Sequence, residues 1–405
     1  MSDARDAVQV DFPQCLAADF PAELPAAVAA FEAIAAAIAG VDFSSLARRS
    51  PALRGFDWHG YLRCSIARMV HAAAALRRRG VTSGRVLDYG SYFGNFALMF
   101  ARAGFSVDAA DSYRAYASVF DATRALLASA GVREFDFADC GYDLASVDGD
   151  YDVVLCMGVI EHIPSSPRPL LATLDRLLRP GGLLVLDTPN LVHLYNRQKF
   201  ARGETVLADI AAQYETELPF EGHHREYTIP ELVWMLQRIG HRQIAVEAFN
   251  YSSYALGTLT SRDAVNHWNM VRDPSMREYL MTVSEKPAAG APAATVSDDW
   301  RTHLEDPERS WQQALPAAMH DQPSFAVDRE IEMVKMQHEI QVRDQERAAV
   351  QAEVNRRDEL LKEAHDRLVR EVQLRDDIID ALNREREWML SGWRRFIIRR
   401  PRQKS

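Results

Sequence analysis

Val86-Leu87-Asp88-Tyr89-Gly90-Ser91-Tyr92-Phe93-Gly94 decides the fold class of this 405-residue chain. An aliphatic run reaches an aspartate, two glycines follow four positions apart, and an apolar helical stretch begins near Asn95. A strand that turns so tightly into a helix needs glycine wherever the backbone takes positive φ or approaches a ligand closely. Alone, the Gly-x-x-x-Gly turn fits a nicotinamide site, or a βα turn that binds nothing, as well as any other reading. The flanking chain has to decide.

From residue 81 to 286, short aliphatic strands alternate with helical stretches, the pattern of a doubly wound α/β sheet. Strands are predicted at Arg85–Tyr89, Ser106–Ala110, Glu134–Phe137, Asp152–Met157, Leu183–Asp187, Gln243–Phe249 and Glu278–Ser284, the last two as an edge hairpin. Asp111 ends the second strand, 17 residues after Gly94. A carboxylate there can accept hydrogen bonds from both hydroxyls of a ribose. Asp139 follows the third strand, where a carboxylate can receive an adenine amino group. The fourth strand runs into Gly158-Val159-Ile160-Glu161-His162-Ile163-Pro164, and Leu178-Arg179-Pro180-Gly181-Gly182 feeds the fifth.

In this order and spacing, the five blocks resemble class I S-adenosyl-L-methionine-dependent methyltransferases of the group related to ubiquinone-biosynthesis O-methyltransferases. The resemblance covers about residues 81–286, and the combination of blocks carries it. It implies an enzyme with a Rossmann-like seven-stranded doubly wound sheet and S-adenosyl-L-methionine as cofactor. It further implies that Asp88 and the Gly90–Gly94 turn face the methionine part, that Asp111 holds the ribose, that Asp139 and the Cys140 backbone hold the adenine, and that Met157 lines the pocket. In one departure, Tyr92 stands where the family has a middle glycine, and its side chain is expected to narrow the methionine end. A hydride-transfer enzyme would carry a fuller G-x-G-x-x-G turn.

A sulfonium methyl group is already activated, so the protein has mainly to align it with a nucleophile. If that nucleophile is an alcohol, a general base of near-neutral pKa helps to remove its proton. The catalytic candidates are therefore histidines beyond the strand ends: His162, and His223 and His224 in Gly222-His223-His224-Arg225-Glu226-Tyr227-Thr228. Similar proteins carry a His-x-Arg-x-Phe/Tyr segment here that reaches back over the active site, which implies Arg225 and Tyr227 as substrate contacts. Asn190, in Thr188-Pro189-Asn190, either bonds substrate or caps a loop, and His162 fits a structural or cofactor-side role equally well. Thr228 reads as a helix N-cap, with Pro230 and Glu231 in the first turn. No metal site is expected, because adjacent histidines in a strand point to opposite faces and no third ligand stands at fixed spacing. The insertion at 191–220 is long for a loop and reads as a lid. Trp58 and Tyr61 read as packing residues that could also wall the site.

The remaining sequence bounds the setting. A net charge of −10 argues against nucleic acid as a partner. Four cysteines without C-x-x-C spacing suit a reducing compartment and give no zinc or disulfide signature. Ala26–Ala39, interrupted by Glu32, reads as a helix and not as a signal peptide, and no apolar run approaches the roughly 18 residues of a membrane span. The expectation is a cytoplasmic protein.

Five regions are expected: an N-terminal helical cap (1–80), the methyltransferase-like domain (81–286), a Pro/Ala-rich linker (287–325) with a short helix near Trp300–Leu304, a coiled coil or long helix (326–392), and a basic-aromatic tail (393–405). The long helix has apolar residues at 4-3 steps, among them Val354, Leu361, Leu368, Ile378 and Leu382, but Gln341, Gln345 and Arg357 interrupt the seam. A homo-oligomer through this coil is expected. From Trp393 onward there are six basic residues and no acidic one, interleaved with Phe396, Ile397 and Ile398. That composition suits peripheral contact with the inner face of the cell membrane. A long helix followed by such a segment resembles the tails of bacterial enzymes that build surface polysaccharides. It implies O-methylation of a sugar hydroxyl in surface glycan biosynthesis. The alternatives are an O- or N-methyltransferase of small molecules or natural products, and a scaffold whose cofactor pocket has degenerated.

Overall fold

The computed structural model describes residues 7–9, 12–49, 53, 55–137, 144, 147–216, 220, 222–251, 258–260, 266, 269–270, 272–288, 290–291 and 324–397, with side chains of the last stretch from 340 to 392. Contacts divide the chain into two units, residues 1–338 and 339–405. The first is built on a seven-stranded sheet of order β4-β3-β2-β5-β6-β9-β7. Its strands are β2 (Arg85–Tyr89), β3 (Ser106–Asp111), β4 (Arg133–Asp136), β5 (Tyr151–Met157), β6 (Leu178–Pro189), β7 (Arg242–Phe249) and β9 (Tyr279–Glu285). β1 (Ala7–Gln9) and β8 (Thr258–Thr260) pair separately.

β4, β3, β2, β5 and β6 run parallel, and β9 is antiparallel to both β6 and β7. From β2 the chain works outward through β3 and β4, then returns to β5 on the other side of β2. The strand order thus reverses between β2 and β5, and the crevice beyond their carboxyl ends is where a ligand binds in such sheets. α5 (Asn95–Arg102), α6 (Asp121–Ser129), α7 (Arg168–Leu177) and α10 (Ile229–Arg238) make the connections.

All seven predicted strands form, and the last two pair antiparallel at the sheet edge as expected. β9 lies between β6 and β7, so β7 is outermost, and the segment between them contributes β8 to the other sheet. One detail departs from expectation. The Leu178–Gly182 block belongs to β6: Leu178 pairs with Tyr151, and an irregularity follows before Leu183 pairs with Val153.

Alternation along each strand sorts the core into two layers. Val86, Val153, Val185 and Val283 pack on one face against α2 (Leu24–Ile38), α4 (Trp58–Arg78) and α5, through Ile34, Leu62, Met69 and Leu98. Leu87, Val154, Leu184 and Leu186 pack on the other against α7 and α10, through Leu170, Leu174, Leu232 and Leu236. At roughly 1.5–3 kcal/mol for each fully buried aliphatic side chain, Leu62, Met69 and Val70 hold α4 in the same core as the sheet. The N-terminal helices thus share one core with the sheet.

α11 runs from Ser324 to Ile397, 74 residues. Within the second unit its apolar residues Val354, Leu361, Leu368, Ile378 and Leu382 are all exposed in the single chain. Among the described residues, no helix is long and apolar enough to cross a membrane. The short helix expected near Trp300–Leu304 and residues 398–405 of the tail lie outside the described residues.

Candidate active site

The turn after β2 keeps the backbone of a glycine turn although one glycine is missing. Gly90 and Gly94 have φ of +76° and +82°, and Tyr92 is held at +50°. For a residue with a Cβ this left-handed geometry costs on the order of 1–2 kcal/mol, and three features hold it. The Tyr92 N–H donates to Asp111 Oδ2 at 2.7 Å. The Gly90 and Ser91 N–H groups donate to the Ala110 carbonyl. The Tyr92 ring packs against Phe93, Phe120 and Trp58 at centroid distances of 4.5, 5.1 and 6.1 Å. The ring is therefore drawn into an aromatic cluster that includes Trp58 at the start of α4. A Cβ at Gly90 would run into Val159, and one at Gly94 would come within 2.5 Å of Leu127 Cδ1.

Asp88 and Asp111 are both buried. Asp88 Oδ2 accepts the Ala97 N–H at 3.0 Å, in the first turn of α5, and Asp111 Oδ1 accepts the Ser112 N–H at 2.7 Å. Burial pushes the Asp88 carboxyl up to about 7 and that of Asp111 to about 6, against the pull of these N–H groups. Asp88 thus braces the turn from behind.

These residues fit the cofactor that the resemblance implies. Asp111 Oδ2 and Asp88 Oδ2, each accepting one N–H, keep a second lone pair for a donor such as a ribose hydroxyl. Asn95 Oδ1, buried directly after Gly94, has no hydrogen-bond partner among the described residues, and an ammonium group would supply one. Met157 is buried at the carboxyl end of β5. Asp139 and Cys140 lie outside the described residues.

On the acceptor side the structure assembles what the sequence kept apart. Glu161, buried just beyond β5, accepts the Thr188 hydroxyl on Oε2 at 3.1 Å. Its carbonyl accepts the His224 N–H at 2.8 Å and the Arg225 N–H at 3.3 Å. Those two bonds dock the 222–228 segment onto Glu161 and bring the His223 ring edge-on to His162, with centroids 4.9 Å apart. The His223 Nδ1–H donates to Glu226 Oε1 at 3.0 Å. Burial works to lower the His223 pKa, but the Glu226 hydrogen bond and the Glu161 charge outweigh it and raise it. Burial pushes Glu161 up to about 7, opposed by His223. Glu161, His162 and His223 each bring one potential ligand atom within 4.8 Å of the others. No third ligand stands at fixed spacing from His223 and His224 in the sequence; the fold instead brings Glu161 and His162 beside His223.

The other candidates divide. His224 diverges from His223, as neighbours in an extended segment do, and its Nε2–H donates to the Phe220 carbonyl at 3.1 Å. Arg225 is exposed and paired with Glu231 at 2.6 Å. Tyr227 is buried and bridges to Asn190 through the backbone. Asn190, also buried, donates its amide hydrogens to the Ser275 and Arg277 carbonyls at 3.0 and 2.7 Å, and its Oδ1 accepts the Val192 N–H. Asn190 and Tyr227, both buried, hold the rim together. The Thr228 N–H donates to Glu231 Oε2 at 2.9 Å, the capping arrangement expected at the start of α10. The 191–220 insertion contains α8 (Leu194–Ala201) and α9 (Ile210–Glu215) and exposes Phe200, Leu207, Ile210 and Tyr214.

One structural pair escaped the sequence reading. Arg68, on the buried face of α4, makes a two-pronged ion pair with Asp187 in β6. It lies so close that a Cβ on Gly158 would meet its Nη2 at 2.8 Å. The available signal was an arginine set among Ile66, Ala67, Met69 and Val70, since a charge on an apolar helix face must find a partner.

Known proteins bear on this site as follows. Residues 58–246 match a family model described as a methyltransferase domain. The match begins at the first residue of α4, consistent with a helix fixed to the sheet through Arg68. A ubiquinone biosynthesis O-methyltransferase of Xanthomonas axonopodis pv. citri (strain 306) is 30% identical over 205 residues, 49% of this chain and 79% of the relative. The corresponding protein of Xanthomonas euvesicatoria pv. vesicatoria (strain 85-10) is 30% identical over 195 residues, 47% of this chain and 76% of the relative. That of Caulobacter sp. (strain K31) is 35% identical over 108 residues, 26% and 41% respectively.

Proposed function

Because the chain belongs to the class I S-adenosylmethionine-dependent methyltransferases, with S-adenosylmethionine as its cofactor, we propose that it methylates a hydroxyl oxygen, on a sugar of a bacterial surface glycan. The bound cofactor supplies an electrophilic methyl group on sulfur. The protein has then to hold the acceptor in line with that group and help its hydroxyl to lose a proton. The observation that carries an oxygen acceptor is the His223 cluster beyond β5. A histidine oriented through Nδ1 by Glu226, beside a buried carboxylate, is built to handle a proton. His223 is the preferred residue for that role, with His162 beside it, because the His224 Nε2–H already bonds Phe220. Asp88, Asp111 and the Gly90–Gly94 turn hold the cofactor, together with Asp139, Cys140 and Met157 as the resemblance implies. The relatives named above are O-methyltransferases, which supports oxygen as the acceptor atom.

The sugar is supported by the long α11 and the basic, aromatic sequence that ends it. Exposed apolar residues along α11 support self-association, and the tail supports contact with an anionic membrane surface. A second reading, a small aromatic acceptor, is favoured by the half-exposed ring of Tyr61 beside Tyr92, with that of Phe56 next to it. Mass spectrometry of surface glycan from cells with and without the protein separates the two. A methyl group lost with the protein supports the sugar, whereas an unchanged glycan removes it. Calorimetry with S-adenosylmethionine tests the enzyme itself: a folded sample that binds none leaves only a scaffold.

A further inference from the structure

We propose that Glu161, His162 and His223 form a binding site for one divalent transition-metal ion, of which zinc is the best fit, placed where it would hold the acceptor hydroxyl. The inference rests on the acceptor reading above for its role, but not for the binding itself.

Two imidazoles and one carboxylate suit zinc and its neighbours better than magnesium, which prefers oxygen alone. They also match the three-ligand sets of catalytic zinc sites, in which a fourth position stays open for water or substrate. The ligand atoms lie within 4.8 Å of one another, against roughly 3.4 Å between ligands of a tetrahedral ion at 2.1 Å. His162 is exposed, so rotation of its side chain can close that gap without disturbing the core.

The two remaining ligands are already held in the manner that metal sites require. Metal-bound histidines usually donate their second ring N–H to a carboxylate or carbonyl, which fixes ring orientation and tautomer. The His223 Nδ1–H donates to Glu226 Oε1 at 3.0 Å, leaving Nε2 as the ligating nitrogen. Glu226 is itself fixed by the Asn196 amide, which donates to Oε2 at 3.2 Å. Glu161 is tethered by the Thr188 hydroxyl on Oε2. The backbone bonds from His224 and Arg225 to the Glu161 carbonyl set the distance between the two ligand-bearing segments. Glu161 and His223 thus each have their own support.

A divalent ion at this point would lower the pKa of a coordinated hydroxyl, as it does for water. The proton would pass to solvent, the oxygen would form its bond to the methyl carbon, and the sulfonium sulfur would keep the electron pair of the broken S–C bond. His223 would then act as a ligand and not as the base.

The test is zinc titration by calorimetry, on full-length protein without an affinity tag and first stripped with a chelator. The expected result is one zinc per chain with Kd below about 10 μM, weakened at least 30-fold by His223→Ala and by His162→Ala and unchanged by His224→Ala. Glu161→Gln should weaken it similarly. If that buried variant fails to fold, the exposed His162→Ala decides. Absence of stoichiometric binding, or binding unaffected by both histidine variants, overturns the proposal. Titration of the stripped protein with S-adenosylmethionine in parallel keeps the readings apart. Cofactor binding without zinc binding removes the metal and leaves the methyltransferase acceptor reading with His223 as base. Zinc binding without cofactor binding removes that reading alone.

Discussion

Arg68 and Asp187, 119 residues apart, face each other through two parallel hydrogen bonds of 2.8 and 2.7 Å, with both side chains buried. The guanidinium also lies 4.9 Å from the centre of the Tyr279 ring and 5.5 Å from that of Phe96. One arginine thus ties α4 to β6 and β9, directly behind the Gly158 turn that leads to Glu161. Removing one partner leaves the other charge buried and unpaired. Arg68→Ala and Asp187→Ala are each expected to destabilise by about 3–5 kcal/mol, read from urea unfolding. Arg68→Met with Asp187→Leu should cost clearly less than the sum of the single changes, and strict additivity would show that the pair is not coupled.

Tyr92 offers a test in which the smaller residue wins. Alanine there loses the ring's packing and keeps a Cβ at positive φ, whereas glycine loses the ring but relieves the backbone. Tyr92→Gly is expected to be more stable than Tyr92→Ala by about 1 kcal/mol, although both fall below the parent. Equal stabilities by thermal unfolding would mean that the turn relaxes away from φ +50° once the ring is gone.

Asp88 makes stability depend on pH in a stated direction. Burial raises its pKa from an ordinary 3.8 to about 7, so between those values the folded chain holds a proton that the unfolded chain has released. Stability measured without cofactor therefore falls as pH rises through that window, and Asp111, raised to about 6 by burial, adds in the same direction. Three units correspond to about 4 kcal/mol at most. Asp88→Asn keeps an acceptor for the Ala97 N–H and should flatten the decline between the ordinary 3.8 and about 7. Urea midpoints with an unchanged slope would assign the effect elsewhere.

His223 and His224 are neighbours with different surroundings, and turnover should separate them. His223→Ala is expected to lower kcat at least tenfold, with a smaller loss for Glu226→Gln, which keeps the bond to Nδ1 but not the charge. His224→Ala should fall far less, since its ring nitrogen bonds the Phe220 carbonyl. A larger loss for His224 than for His223 would reverse the assignment.

Removal of residues 326–405 is expected to convert an oligomer into a monomer, read by light scattering after gel filtration. Val354, Leu361, Leu368, Ile378 and Leu382 are exposed in the single chain and recur on one side of α11 in 4-3 steps. An unchanged mass would place any self-association elsewhere.

The sheet was legible in the sequence because most strands are short, rich in aliphatic residues and bounded by turns, so period and punctuation agree. The cofactor turn was legible for the same reason, and Tyr92 was visible as its exception. The placement of β9 was not, since pairing between β6 and β9 depends on residues almost a hundred positions apart. The acceptor side was half legible. Glu161, His162 and His223 each attracted notice, but only the backbone bonds from the 222–228 segment to the Glu161 carbonyl bring them together. Arg68 and Asp187 carry no local signature beyond a charge among apolar neighbours, and Asn190 shows its partners only once the chain is folded.

The position of β9 also sets a condition on how the molecule can be made. Its seven residues are the last of the sheet to leave a ribosome, yet they must enter between two strands already synthesised. Until Glu285 emerges, β6 presents an unpaired edge of seven residues, Leu183–Pro189, apolar apart from Asp187 and Thr188, and β7 has no neighbour. A nascent chain in this state is open to pairing with another copy of itself. Release from that hazard comes with one short strand, which also carries Tyr279 to the face of Arg68.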